Sequence, residues 1–293
     1  MFNTYEEMQE LVKQGLAKVS TNGNLDTFKY AKKVMFENLW DKHSQLYECR
    51  GSTYDNRTGE LVVASPRKCF NYGENNCGSE LHPDTLVSVF KKYNGFLACV
   101  SVHEGKFLVS TTGSTKSDFV KMAEEVFLQS DEHFTEHFID PAEIHHNYTL
   151  YYEIIHSNDP HIVDEGEQTA IFLGGRNKCG GFYPNWGTHV GGMTFAESQE
   201  FALTDRGEGV MIYKIGDYSK AIKLKTPYYV GKKKLMRATA KKVQEMYRNP
   251  QDYAKILPEM WKDVPAKIVA SVDQEIWTQA TDQQRRAVIE EYK

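Results

Sequence analysis

No run of about 18 apolar residues, the length a membrane-spanning helix needs, occurs anywhere in the 293-residue chain. Residues Met1 to Gly15 are polar and acidic and have no apolar stretch of the signal-peptide kind. These two absences predict a soluble, intracellular protein with no membrane partner. Cysteine is sparse: Cys49, Cys69, Cys77, Cys99 and Cys179 are odd in number, widely spaced and never arranged as CxxC. That excludes a zinc ribbon and a disulfide framework, and a reducing cytosol suits the thiols best. An overall basic excess is also missing. The formal net charge is −5, which excludes a nucleic-acid coat protein. There is no internal repeat and no low-complexity tract, so a solenoid is excluded. Glu136 precedes His137 instead of following His133, so these residues and Glu132 do not form HExxH and read as a surface pair. His145-His146 has no evident partner, and Gly174-Gly175 and Gly191-Gly192 lack the strand-turn-helix setting of a dinucleotide fingerprint.

What is present is an uneven distribution of charge and a change of texture along the chain. Between Lys220 and Arg248 ten residues are basic and only Glu245 is acidic. Such a stripe is either a place where a polyanion is met or a solvated helix face. Residues 1 to about 45 read as helical: Tyr5, Met8, Leu11 and Val12 recur at helical spacing, as do Phe28, Ala31, Met35 and Leu39, with a break at Asn22-Gly23-Asn24. From about residue 46 short β-rich runs take over. Phe96 to Thr111 forms a hairpin around His103-Glu104-Gly105, and Ser117 caps a helix carrying Phe119, Met122, Ala123, Val126 and Phe127. Strands resume at 148–155, 170–173, 209–215 and 221–225. After Gly231 the chain reads as helical again, and Thr281 with Gln284 has capping-box form. The pattern predicts an α+β body, residues 1–231, followed by a small all-helical domain, residues 232–293.

A series of short motifs runs through the body in a fixed order: Glu48-Cys49-Arg50-Gly51, Lys68-Cys69-Phe70-Asn71, Lys92-Tyr93-Asn94-Gly95, Thr111 to Ser117, Tyr152-Glu153-Ile154, Glu208-Gly209-Val210 and Lys223-Leu224-Lys225. Taken alone, Lys-Tyr-Asn-Gly is a strand end and a turn. Together the series resembles the covalent nucleotidyltransferase superfamily of ligases and capping enzymes, and within it the bacteriophage-type RNA ligases that repair broken tRNA. The resemblance covers residues 46 to about 230. It implies an ATP-grasp-like adenylation domain of antiparallel sheets with flanking helices. The implied activity is an ATP-dependent RNA ligase that uses Mg²⁺ or Mn²⁺. The implied partner is RNA, possibly tRNA among its forms, with 5′-phosphate and 3′-hydroxyl ends. A monomer in the cytoplasm of a phage-infected cell is the implied setting.

By the same resemblance Lys92 is the nucleophile, Glu208 the metal residue, and Glu153 a ribose contact or a support for the metal. Arg50 grips the ATP phosphates, Lys68 and Phe70 touch the nucleotide, and Lys223 and Lys225 complete the catalytic set. The chemistry is coherent with this. A lysine amine must be neutral to attack phosphorus, and its ordinary pKa is about 10.4. Lys223 and Lys225 alternate with Leu224 on a strand and so face one side, from which they are expected to lower the Lys92 pKa and to neutralise phosphate charge. Two departures stand out. The Thr111-Thr112 motif has no basic residue where relatives often carry one, and Asn94 replaces a common aspartate. DNA ligases and capping enzymes usually append an OB barrel, whose five strands the helical tail does not offer. A non-catalytic RNA-binding module on a decayed ligase core is the reading from another class, and the intact Lys92, Glu208, Lys223 and Lys225 weigh against it.

Overall fold

The computed structural model describes residues 2–129, 147–159 and 161–293. The His133–His137 pair, its neighbours Glu132 and Glu136, and His145-His146 lie outside the described residues.

Helix α1 (Tyr5–Lys13) opens with a capping box in which Thr4 and Glu7 satisfy each other's backbone, and it buries Met8 and Leu11. The following segment corrects the helical reading of residues 1–45. Strands β1 (Ala17–Asn22) and β2 (Leu25–Tyr30) form a hairpin around Gly23-Asn24, and only α2 (Lys32–Phe36) is helical. Gly23 takes φ +58, as a two-residue hairpin turn requires. Phe28 packs edge-on against Tyr5 and Tyr54, so its burial comes from a sheet face and not from a helical stripe.

Three sheets carry the rest. The first runs β1-β2-β3-β4, with β3 at Arg50–Asp55 and β4 at Leu61–Val63. The second has the order β11-β10-β9-β7-β8, comprising β7 (Phe96–His103), β8 (Lys106–Thr111), β9 (Tyr148–Ile155), β10 (Thr169–Asn177) and β11 (Phe182–Pro184). The third has the order β12-β6-β13-β14-β5, comprising β5 (Phe70–Asn71), β6 (Leu86–Lys92), β12 (His189–Thr194), β13 (Gly209–Lys214) and β14 (Asp217–Lys225). All pairings are antiparallel except the short parallel contact of β5 with β14. None of the sheets closes into a barrel among the described residues.

Each large sheet is covered on one face by a helix. Helix α3 (Asp118–Gln129), whose Val120 N–H bonds the Ser117 hydroxyl, lays Ala123, Val126 and Phe127 on Ala98, Val100, Tyr152 and Ile154 of the second sheet. Helix α4 (Phe195–Thr204) lays Phe195 and Ala202 on Val87, Val89, Val210, Ile212 and Leu224 of the third. The uncovered faces of these two sheets look at each other, and a cavity of about 810 Å³ lies between them.

No strand follows Lys225 among the described residues. Instead α5 (Pro227–Met236), α6 (Ala240–Arg248), α7 (Pro250–Ala254), α8 (Val264–Ser271), α9 (Gln274–Gln279) and α10 (Asp282–Glu291) pack around Trp261 and Trp277. Thr226 caps α5 and Pro227 occupies its first turn, so this helix starts before Gly231 and runs across the 231/232 division. Gly231 is what lets α5 meet Trp261, because a Cβ there would stand 2.1 Å from the indole ring. Three residues of the basic stripe pair with acids within this cluster. Lys232 is buried against Glu290 (2.6 Å), Arg237 pairs with Asp282 (3.2 Å) and Lys242 with Glu245 (2.5 Å).

Candidate active site

Strand alternation builds the cavity wall. Phe90 and Lys92 on β6, Tyr151 and Glu153 on β9, Met211 and Tyr213 on β13, and Ala221 and Lys223 on β14 all point into it. Their neighbours Val89, Val210 and Leu224 point the other way, under α4. Lys91 and Lys92 are separated by the same rule. Lys91 turns out to Glu165 (3.5 Å), while Lys92 turns inward and is mostly shielded from solvent.

The ends of three strands align around Gly209. It is opposite Lys92 on β6 and opposite Lys225 on β14. Its φ is +144, and a Cβ would fall 2.0 Å from the Leu224 carbonyl oxygen, so only glycine allows the three strand ends to come this close. Glu208, one residue earlier, is thereby delivered between two lysines. Its Oε2 lies 3.0 Å from Lys92 Nζ and its Oε1 lies 3.4 Å from Lys225 Nζ. The Asn94 side-chain amide donates to the same Oε2 at 3.0 Å.

The turn after Lys92 is held from outside. Asn94 Oδ1 accepts from the Val163 N–H (2.9 Å), and the Asn94 N–H donates to Glu165 (2.9 Å). The Gly95 N–H donates to Glu153 Oε1 (2.9 Å), and a Cβ on Gly95 would lie 2.3 Å from the Ile154 carbonyl oxygen. Asn94 and Gly95 are thus a junction between β6, β9 and the 161–165 segment, more than an ordinary turn.

These contacts set the charge state of the site. Burial pushes the Lys92 pKa down and is the largest single influence, but Glu153 and Glu208 together outweigh it and the net shift is upward. This corrects the expectation that neighbouring lysines would lower it: in the ligand-free protein the buried carboxylates dominate and keep Lys92 an ammonium. The Glu153 pKa is raised by burial against the pull of Lys92. Lys223 acts elsewhere. Burial and then Lys223 lower the pKa of Lys68.

Arg50 and Lys68 line the same cavity. Lys68 Nζ stands 4.1 Å from the Phe70 ring centroid, and Phe70 is itself packed edge-on against Trp40 and Tyr47. Phe70 is therefore part of a buried aromatic cluster with one face at the cavity. Glu208 meets Lys92, and Lys225 meets Glu208, but neither lines the cavity itself. Of the eight residues singled out in the sequence, six thus line one cavity, and Glu208 and Lys225 adjoin it.

Sequence reasoning missed Arg176. Its guanidinium forms a two-pronged buried pair with Glu48 (2.6 and 3.1 Å), which Arg67 also meets at 2.9 Å. This pair fastens β10 to the segment carrying Arg50. No motif announces it, because its partners are 128 positions apart.

A divalent cation has suitable donors beside Lys92. Two buried carboxylates, Glu153 and Glu208, flank Lys92, a donor number that suits Mg²⁺ shared with substrate phosphates. A cluster with three donor side chains among the described residues is Asp55, His103 and Glu104. There Arg57 already sits between Asp55 (2.5 Å) and Glu104 (2.6 Å), so a guanidinium occupies the place of a cation.

A family model described as RNA ligase matches residues 48–204. Among solved structures, an archaeal ATP-dependent RNA ligase in one form aligns with TM-score 0.51 and 13% identity over 98% of this chain and 75% of that chain. A second form of an archaeal ATP-dependent RNA ligase aligns with TM-score 0.50 and 14% identity, over the same shares of the two chains. At these identities the likeness is one of fold. No curated protein matches the chain. The matched segment includes Arg50, Lys68, Phe70, Lys92 and Glu153 and stops short of Glu208, Lys223 and Lys225. No helix among the described residues is long and apolar enough to cross a membrane.

Proposed function

The chain belongs to the RNA ligase family, and on that premise we propose that it is an ATP-dependent RNA ligase that joins 5′-phosphate and 3′-hydroxyl ends through AMP carried on Lys92. One observation carries this reading: a shielded lysine held 3.0 Å from a buried glutamate at the wall of a cavity large enough for a nucleotide, with Arg50, Lys68 and Lys223 around it.

In the first step Lys92 passes its proton to Glu208, whose Oε2 lies 3.0 Å away, and Nζ bonds to the α-phosphorus of ATP as the bond to the β-phosphate oxygen breaks. Pyrophosphate leaves with the electron pair. The AMP then passes to an RNA 5′-phosphate, which frees Lys92 and forms a 5′-5′ pyrophosphate. A 3′-hydroxyl finally displaces AMP and closes the phosphodiester. All three are in-line transfers in which positioning and charge supply most of the rate. Lys225, whose pKa is lowered by burial, and Lys223 are positioned to offset phosphate charge. Glu208, with Glu153, would hold Mg²⁺ or Mn²⁺, which when bound adds positive charge to the phosphates.

The helices from Pro227 onward share one core, and we propose them as a second domain, with the boundary at Thr226. Repair of cleaved tRNA is the finer proposal for substrate. Ligation of a matched panel of single-stranded ends, nicked duplexes and broken anticodon loops tests it, with preferential sealing of the last expected.

The experiment for the central claim is intact-mass measurement after incubation with ATP and Mg²⁺. The unmodified chain should gain one AMP and Lys92→Ala should gain none. Adenylylation of Lys92→Ala at the wild-type level would refute the assignment, and a wild-type chain that never gains AMP would refute the ligase reading.

A further inference from the structure

Lys29 and Arg50 stand directly opposite each other on β2 and β3. Directly opposed residues of an antiparallel pair project from one face, where like charges destabilise the pairing. Neither residue has a carboxylate within 4.0 Å among the described residues. Glu153, across the same cavity, attracts Arg50 from a distance, but Lys29 has no acid of its own among the described residues, and such a pair of cations in a sheet suits an anion that is not part of the protein.

The surroundings are built to present it. The register slips between β2 and β3: Phe28 faces Ser52 and Lys29 faces Arg50, leaving Gly51 as an unpaired bulge. Gly51 has φ +108, and a Cβ on it would stand 2.8 Å from Thr112 Cα and 3.0 Å from the Thr111 carbonyl oxygen. The bulge therefore presses β3 against the turn that follows β8. Lys29 reaches across to the same turn, where Nζ lies 3.4 Å from the Thr112 hydroxyl. Its stem lies over Gly113. Asn22 ties the β1–β2 hairpin to this turn a second time, through the buried Thr115 hydroxyl at 3.2 Å. The turn itself, Thr111 to Thr115, carries no charged side chain. Arg50 lines the cavity that holds Lys92.

We propose that Lys29 joins Arg50 as a phosphate-binding pair at the edge of this cavity, holding the two outer phosphates of the triphosphate and then the departing pyrophosphate. The proposal rests on the ligase reading of the Lys92 site. It adds a residue from the N-terminal hairpin, a part of the chain to which no motif assigns a role. The chemistry fits the step. As the Nζ–phosphorus bond forms and the bond to the β-phosphate oxygen breaks, negative charge accumulates on pyrophosphate. Two cations fixed beside an uncharged turn are suited to receive that charge.

The test uses the full chain and three probes: ATP, inorganic pyrophosphate, and RNA that already carries AMP on its 5′-phosphate. Lys29→Ala should raise the ATP concentration for half-maximal adenylylation by roughly ten- to a hundredfold, the range of one charge-assisted contact. The pyrophosphate needed to discharge the lysyl-AMP should rise in the same range. Lys29→Arg should recover most of both losses. Sealing of the pre-adenylylated RNA, which offers no pyrophosphate group to release, should fall at least tenfold less than the ATP step. Unchanged ATP and pyrophosphate dependence in Lys29→Ala overturns the proposal. So does an equal loss on pre-adenylylated RNA, which would place Lys29 on the RNA backbone. In both cases wild-type adenylylation leaves the ligase reading standing, whereas a wild-type chain that takes up no AMP removes both.

Discussion

At the scale of the residue, one amide group separates this site from a commoner one. The Asn94 side chain accepts from Val163 on its oxygen and donates to Glu208 on its nitrogen. An aspartate could keep the first bond but not the second. Asn94→Asp would set a carboxylate about a hydrogen-bond length from the buried Glu208, where like charges repel or must share a proton. Adenylylation of Lys92 should then slow by roughly ten- to a hundredfold, the cost of turning a bond to a charged group into a repulsion. Pre-steady-state labelling with ATP measures it, and a rate within twofold of wild type would show that the amide does not orient Glu208. The motif series singles out Lys92 over Lys91, and alternation on β6 gives a physical reason to prefer it, since Lys92 turns to the buried Glu208 and Lys91 to Glu165. The direction of its pKa shift was not legible. It depends on which charges end up nearest, and Glu153 comes from a strand some sixty positions away in the sequence.

At the scale of the element, the decisive object is the set of three strand ends meeting at Gly209. Gly209→Ala combines a left-handed φ with a backbone clash, so it should destabilise the chain by about 2–5 kcal/mol. Because Glu208 would also be displaced from between Lys92 and Lys225, adenylylation should be lost even under conditions where the variant is still folded. Thermal unfolding and labelling on the same sample separate the two effects. A variant with wild-type melting and wild-type labelling would mean that the strand ends are not closely fitted. The N-terminal hairpin shows where element reading failed. Phe28, Ala31, Met35 and Leu39 match a helical repeat, but Gly23-Asn24 makes a two-residue turn, and pairing with β3 buries Leu25 to Phe28 as a continuous run. A repeat of four residues cannot distinguish a stripe on a helix from a strand buried on both faces.

At the scale of the whole molecule, the sheets are held in register by contacts between distant segments. Arg57 bonds Asp55 at the end of β3 and Glu104 in the β7–β8 turn, which joins the first sheet to the second. The Arg57 hydrogen bonds hold the Asp55 carboxyl down to about 2. A depressed carboxylate stabilises the fold above its unfolded pKa of about 3.9 and loses that contribution as pH falls through the folded value. Stability should therefore drop between about pH 4 and pH 2, and Arg57→Ala should flatten that part of the profile while leaving the slope above pH 5 unchanged. Denaturant midpoints across this range check it, and an identical slope in both proteins would remove Arg57 from the account.

The motif order, the 96–111 hairpin, the strands at 148–155, 170–173, 209–215 and 221–225 and the Ser117 and Thr281 caps could be read from the chain alone, whereas β11 and β12 could not. Each feature that could be read is either a local hydrogen-bonding pattern or a residue type whose chemistry restricts its use. What the tertiary structure decided were relations across sequence distance. The β1–β2 hairpin needed β3 as a partner, and the Glu48–Arg176 pair needed two sheets brought together. The Lys29–Arg50 opposition depends on a one-residue bulge at Gly51. The protonation of Lys92 is of the same kind: the sequence supplies a lysine with lysines near it, and only the packing of β6, β9 and β13 sets two carboxylates against it whose charge outweighs burial.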